Sequence, residues 1–145
     1  MHQIHRYIVF NSEEFHNLRT MHKDALRRSC TRGRITEALI EAEHHEQFCE
    51  WYPAYVDGLD DQRREELGHN LVMRCRGLKE TAVKYNRYVV NGKLFRTLAH
   101  DVGRRTQNSG VCVPTVEGET YYGQLTDIVE VEYYDRTTYV LFKCN

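Results

Sequence analysis

Histidine and cysteine, the side chains that most often hold transition metals, come close together in EHHEQFC (residues 43–49). His45 and Cys49 lie one turn apart in a helix, so they would share one face, as metal ligands on a helix do. A structural zinc ion normally needs four ligands, and no second pair with zinc-finger spacing follows in the sequence. We therefore predict that these side chains pack in an interface between helices, and that the protein has no metal site and no cofactor.

Catalysis by a cysteine or by paired carboxylates finds little support in the sequence. The cysteines are scattered and never form a CxxC pair, which is typical of a reduced, intracellular protein. Cys112 has no histidine near it in the sequence that could act as a base. Most acids fall on expected helix surfaces or on the solvent side of expected strands, whereas a two-metal nuclease needs clustered, inward ligands. We therefore predict no enzymatic activity.

Basic residues concentrate between residues 74 and 105. This segment contains nine Lys and Arg and two acids, which gives it a net charge of +7. Residues 116–135 contain six acids and no Lys or Arg. The basic run could bind phosphates, or the two runs could pair across a sheet or simply be solvated. The candidate nucleic-acid-binding residues are Arg27, Arg28, Arg32, Arg34, Arg87, Lys93, Arg96, Arg104 and Arg105.

The stretch GRRTQNSGVCV (residues 103–113) ends the basic run. Gln107 and Asn108 have side chains that can hydrogen-bond the backbone of their own turn. Ser109 and the glycine after it are expected to lead into a strand. The binding potential of this stretch therefore rests on its two arginines.

Tyrosines are abundant in the second half of the chain. Exposed aromatic rings on a small barrel can stack on bases or enclose a methylated lysine, and acids beside them would suit a cationic peptide. Tyrosine is also a common residue of half-buried strands. The candidate partner-binding residues are Tyr121, Tyr122, Tyr133, Tyr134, Glu130 and Glu132.

The first half of the chain has mainly helical spacing. YIVF (residues 7–10) predicts a short strand or an extended arm, and Asn11 or Ser12 then caps a helix that ends near Gly33. A second helix is expected over residues 35–55, bent or ended by Pro53. A third is expected over residues 62–75, capped by Asp60 or Asp61. The chain contains no apolar run long enough to span a membrane.

The second half has strand-like spacing. Asn91 and Gly92 separate two β-rich triplets, which predicts a hairpin with a type I′ turn. Strands over SGVCVPTV, YYGQLTDIVEVEYYD and TYVLFKCN would follow, five strands in all. The predicted fold is α+β, with a helical segment (residues 1–80) packed on an antiparallel SH3-like or partly open β-barrel (residues 81–145). Exposed strand edges can pair with a second copy of the chain, and a homo-oligomer formed in this way is one of the expected partners.

Several of these stretches, in this order, carry a resemblance to one family. They are HRYIVFNSEEF, EHHEQFCEWY, KYNRYVVNGKLFRTL, RRTQNSGVCV, YYGQLTDIVEVEYYD and VLFKCN. The chain resembles the region downstream of the catalytic domain in plant CACTA-type (En/Spm-like) transposon transposases. In that family a helical E-H-x-x-F-x-x-W pattern precedes a Y-x-V-N-G-x-x-F hairpin. Here Phe48 lies one residue further from His44 than in the family.

The resemblance implies a non-catalytic module, because the catalytic acids of these transposases lie in a separate upstream domain. It implies a nuclear protein that acts on protein or chromatin partners, in a mobile element or domesticated by its host. The alternative is a DNA-binding accessory domain that contacts double-stranded DNA. The family pattern continues beyond F-K-C with an aromatic-rich strand, so the last strand is expected to be truncated. A weaker likeness, resting on fold analogy alone, is to bromo-adjacent-homology modules.

Overall fold

The computed structural model describes residues 1–30, 33 and 36–145. The chain divides into two compact units. The helical unit comprises Met1–Leu78 and Tyr133–Asp135, and the sheet unit comprises Lys79–Glu132 and Arg136–Asn145. Each unit is described by itself.

The helical unit contains five helices and one 3₁₀ turn among its described residues. They are α1 (His2–Asn11), the 3₁₀ turn (Glu13–Phe15), α2 (His16–Ser29), α3 (Glu37–Asp57), α4 (Asp61–Leu67) and α5 (His69–Arg74). Its core consists mainly of aliphatic and aromatic side chains from the three longest helices and the 3₁₀ turn. The fully buried members are Val9, Phe15, Ile40, Phe48, Tyr52 and Tyr133.

The strand predicted for residues 7–10 is wrong, because this segment is part of α1. His5, Ile8 and Val9 recur at helical spacing, and all three are buried. Ile8 and Val9 are β-branched and prefer strands, but this preference is weak. The burial of their face of the helix outweighs it. The following helix also starts later than predicted, because a 3₁₀ turn separates Ser12 from α2.

The other two predicted helices form with changed limits. Thr36 caps α3 by accepting a hydrogen bond from the Leu39 amide at 3.2 Å. Pro53 lies inside α3 and does not end it. Asp60 caps α4 as predicted, through a 2.8 Å hydrogen bond from the Arg63 amide. The predicted third helix is split in two at Gly68, whose φ of 100° is not helical.

Six strands follow, one more than predicted. They are β1 (Leu78–Tyr85), β2 (Arg87–Val90), β3 (Lys93–Arg96), β4 (Gly110–Pro114), β5 (Thr120–Tyr133) and β6 (Thr138–Cys144), with helix α6 (Leu98–Asp101) after β3. The long strand β5 pairs with β1, β4 and β6, while β2 and β3 form a separate two-stranded sheet. Asn91 and Gly92 have φ values of 50° and 76°, so the predicted type I′ hairpin is confirmed.

The α+β class is confirmed, with N-terminal helices and a C-terminal antiparallel sheet. The predicted barrel is not closed within the described part of the chain, since the two sheets remain separate. In β5, the sheet unit buries Leu125, Ile128 and Val131. A bulge between Leu125 and Asp127 shifts the alternation of this strand. No helix among the described residues is long and apolar enough to cross a bilayer.

Candidate nucleic-acid interface

A basic groove lies in the sheet unit, where the corner between β1 and β2 meets the segment that contains α6. Its volume is about 530 Å³. Among the described residues that line it, none is acidic. The lining residues are Lys84, Tyr85, Asn86, Arg87, His100 and Arg104.

Backbone hydrogen bonds bring the two sides of the groove together. Asn86 separates β1 from β2, and its carbonyl accepts a 3.0 Å hydrogen bond from the amide of Thr97. Thr97 is buried and immediately precedes α6. His100, which lies in α6, is therefore held near the strand corner although it is distant from that corner in the sequence.

Asp101, which follows His100 in α6, is buried and holds the loop on the second side of the groove. Its side chain is 1% exposed, and it accepts a 2.5 Å hydrogen bond from the amide of Asn108. Burial favours the neutral carboxyl group, but hydrogen bonds from Asn108 and Ser109 and the nearby Arg96 guanidinium outweigh it and lower the pKa of Asp101. The Arg104 amide donates to the Asp101 carbonyl at 3.0 Å. Asp101 thus organises the loop that carries Arg104, through its carboxylate at Asn108 and through its main-chain carbonyl at Arg104.

The cationic side chains of the groove are only weakly neutralised. Lys84 is 77% exposed, and its Nζ lies 3.9 Å from the Asp127 carboxylate. Arg104 donates to the carbonyl of His100 at 3.0 Å, and this neutral acceptor leaves its charge intact. Arg87 is exposed and makes no ion pair within the described part of the chain. The groove therefore presents net positive charge to solvent.

The other predicted basic residues do not join the groove. Lys93 begins β3 next to the hairpin turn, and Arg105 is exposed in the loop. Arg96 is half-buried, with Nη1 3.7 Å from Asp101 and a 3.3 Å hydrogen bond to the Thr106 carbonyl.

In the helical unit, Arg27 pairs with Asp24 and Glu37 at 2.8 and 2.9 Å, and Arg28 is exposed on α2. Arg32 and Arg34 lie outside the described residues. Of the predicted set, Arg87 and Arg104 are the members that line the groove. Lys84 and His100 complete it, and sequence reasoning did not single them out.

The predicted partner-binding set is not assembled as one surface. Tyr133 is fully buried and forms a 2.7 Å hydrogen bond with His5, so it belongs to the core of the helical unit and not to a partner surface. Glu132 pairs with Lys79 at 3.0 Å, and Asp127 lies 3.9 Å from Lys84. The basic and acidic runs thus pair in part within the sheet unit.

Three of the predicted tyrosines are exposed. Tyr121 and Tyr122 are 72% and 78% exposed near the start of β5, where they pair with Val113 and Cys112 of β4. Tyr134 is exposed as well and belongs to the helical unit. The two neighbouring tyrosines of β5 therefore remain candidates for contact with a partner.

The histidines of EHHEQFC take up different environments. His44 is buried, and its Nδ1 lies 2.7 Å from Nδ1 of His22. Burial and the charge of His22 lower the pKa of His44 to about 4. His45 is exposed, and Cys49 is half-buried with a pKa raised by burial. The described residues contain no group of three His, Cys, Asp or Glu side chains placed to hold a metal ion.

A second cavity, of about 460 Å³, lies in the helical unit. It is lined by Glu14, by Leu67 and Gly68, and by residues of α5 that include Arg74. Glu14 and Arg74 form an ion pair with each other. Its charges are therefore balanced by neighbouring side chains. The groove of the sheet unit is the better candidate for binding an anionic ligand.

Comparisons with protein-family models, with curated proteins and with solved structures find no match for this chain. The resemblance to CACTA-type transposases thus stays a prediction that rests on the sequence motifs.

Proposed function

We propose that this chain is a non-catalytic, transposase-derived accessory module that binds DNA in the nucleus through the basic groove of its sheet unit. The observation that supports this proposal is the convergence of Lys84, Arg87 and Arg104 on one open groove without a lining acid. The resemblance to the CACTA family supplies the biological setting.

The physical basis is phosphate neutralisation. Arginine presents a planar set of donors that matches two phosphate oxygens, and lysine acts as a point charge. Contacts of this kind release condensed counterions, so affinity falls as salt rises. They carry no sequence preference by themselves. The groove is therefore expected to bind nucleic acid with little dependence on sequence.

The test is fluorescence anisotropy with a labelled mixed-sequence duplex and with one of its strands, at several salt concentrations. The variant Arg87→Ala/Arg104→Ala should weaken binding at low salt. It should also reduce the slope of log affinity against log salt for the duplex by about 1.8, since each phosphate contact contributes about 0.9. Arg63→Ala/Arg76→Ala, which removes two exposed arginines of the helical unit, is the control of equal charge.

Two outcomes would overturn this proposal. The first is unchanged anisotropy of both probes at micromolar protein and low salt. The second is an equal loss of affinity in the Arg87→Ala/Arg104→Ala and Arg63→Ala/Arg76→Ala proteins, because net charge alone would then account for the binding.

A second candidate function is binding of a protein or chromatin partner, and the exposure of Tyr121 and Tyr122 favours it. The SH3-like and bromo-adjacent-homology likenesses belong to this proposal, as does self-association through a strand edge. A screen against histone peptides should give a saturable hit that Tyr121→Ser/Tyr122→Ser abolishes. A screen without any saturable hit would count against this function.

A further inference from the structure

We infer that the groove binds single-stranded nucleic acid in preference to duplex, with a base stacked on Tyr85. This inference rests on the proposed function and names the form of ligand that the same groove takes. Tyr85 lines the groove beside Lys84 and Arg87. An aromatic ring inside a cationic groove is the combination that binds unpaired bases together with their backbone phosphates.

The ring of Tyr85 is held in place before any ligand arrives. Its side chain is half-buried, and burial together with the nearby Glu130 carboxylate raises the pKa of its hydroxyl. Its ring also contacts the ring of Tyr88 in an edge-to-face arrangement, with centroids 5.4 Å apart. A fixed ring loses little conformational entropy on binding. The entropic cost of ordering the side chain therefore offsets little of the favourable stacking energy.

Asn86 adds a polar group to the same wall of the groove. Its main chain is fixed by the hydrogen bond from Thr97. Its side-chain amide offers both donors and an acceptor, which can meet the edge of a base. The faces and pairing edges of bases are covered by stacking and pairing in a duplex, whereas a single strand can present them.

These placements together define one binding mode. Arg87 and Arg104 hold the phosphate backbone, Tyr85 takes the face of one base, and Asn86 meets the edge of that base. The groove volume of about 530 Å³ lies within the range of small-molecule clefts. It therefore suits one nucleotide of a strand that passes over the surface.

The test compares four labelled probes of equal length by anisotropy: oligothymidylate, oligouridylate, a mixed-sequence single strand and its duplex. We expect each single strand to bind more tightly than the duplex. Tyr85→Ser should weaken single-strand binding by at least about 5-fold while changing duplex affinity by less than about 2-fold. Tyr85→Phe keeps the ring and should retain most of the single-strand affinity.

The control variant is Tyr7→Ser, at an exposed tyrosine of the helical unit, and it should change neither affinity. Circular dichroism of Tyr85→Ser establishes that the variant is folded. Equal or tighter binding of the duplex would overturn the inference, as would equal losses on both forms in Tyr85→Ser. The failure of every probe to bind would instead overturn the proposed function. A comparison of oligothymidylate with oligouridylate shows whether the groove prefers a DNA strand or an RNA strand.

Discussion

Three histidines are buried in the helical unit: His5, His22 and His44. Burial lowers the pKa of His5 and of His44 to about 4, and it lowers the pKa of His22 as well. The hydrogen bond between His22 and His44 needs one ring to donate and the other to accept, which two neutral rings provide. These side chains are therefore core residues that tolerate burial only without charge.

Acid should destabilise the helical unit. The unfolded chain takes up protons near pH 6.5, whereas the folded histidines resist protonation until about pH 4. The contribution of these neutral histidines to the free energy of unfolding is therefore fully present above pH 6.5 and is lost as the pH falls towards 4. Urea unfolding at pH 7 and pH 5 should show a loss of about 1–2 kcal/mol for each of His5 and His44.

The variant His44→Leu should flatten this pH dependence. His16→Leu, at an exposed histidine of α2, should leave it unchanged. If His44→Leu and the unaltered protein had the same pH dependence of stability, the acid sensitivity would not come from His44.

Asp101 is the second residue whose role depends on its surroundings. We predict that Asp101→Ala frees the amide of Asn108, which the carboxylate now holds. Hydrogen exchange of this amide should become faster, because an amide without a partner opens more easily. Glu117→Ala, at an exposed acid of the same unit, is the control. Unchanged exchange in Asp101→Ala would show that the loop keeps its structure without the Asp101 carboxylate.

At the scale of elements, β5 and β6 come unusually close at Gly123. A Cβ atom at this position would lie 2.7 Å from the carbonyl oxygen of Asn145. The backbone of Asn145 also pairs with Gln124, with its amide 3.1 Å from the Gln124 carbonyl oxygen. A glycine is needed here because of this close approach.

The variant Gly123→Ala should therefore destabilise the sheet unit by about 1 kcal/mol, the lower end of the cost of overpacking. Gly110→Ala is a matched control on the neighbouring strand, since a Cβ atom there meets nothing within 4 Å. Denaturant unfolding of both proteins measures the difference. Equal midpoints for the two variants would show that the end of β6 moves aside without cost.

At the scale of the whole molecule, Asp135 belongs to the helical unit although it follows β5 in the sequence. Arg74 of α5 donates from Nε to the Asp135 carboxylate at 2.9 Å and also pairs with Glu14. The Asp135 side chain is 1% exposed. The ion pair therefore joins parts of the chain that are far apart in the sequence.

Removing the cation should be costly. Arg74→Met would leave the buried Asp135 carboxylate without this partner, and breaking a buried pair in this way costs roughly 3 kcal/mol. Adding Asp135→Asn should recover part of the loss, which a double-mutant cycle measures. The control is Arg76→Met, at an exposed arginine. Similar losses for Arg74→Met and Arg76→Met would contradict the importance of this pair.

Part of the fold could be predicted because it depends on neighbouring residues. The hairpin at Asn91 and Gly92 follows from the positive φ values that these residue types accept. The Asp60 cap follows from a side chain that reaches an amide of its own first turn. The strand predicted for residues 7–10 was wrong because the burial of His5, Ile8 and Val9 favours a helix there. The spacing of residues along the chain does not show which other elements pack against them.

The candidate site divides in the same way. The sequence by itself determined the basic run that contains Arg87 and Arg104, because charge is a property of composition. Only the tertiary structure decided which cations share a groove, since the bond between Asn86 and Thr97 brings His100 beside the strand corner. The structure also places Arg96 beside the buried Asp101, so Arg96 does not join the groove. Chain positions far apart meet only when packing and hydrogen bonding between elements bring them together, so their distances cannot be read from local sequence.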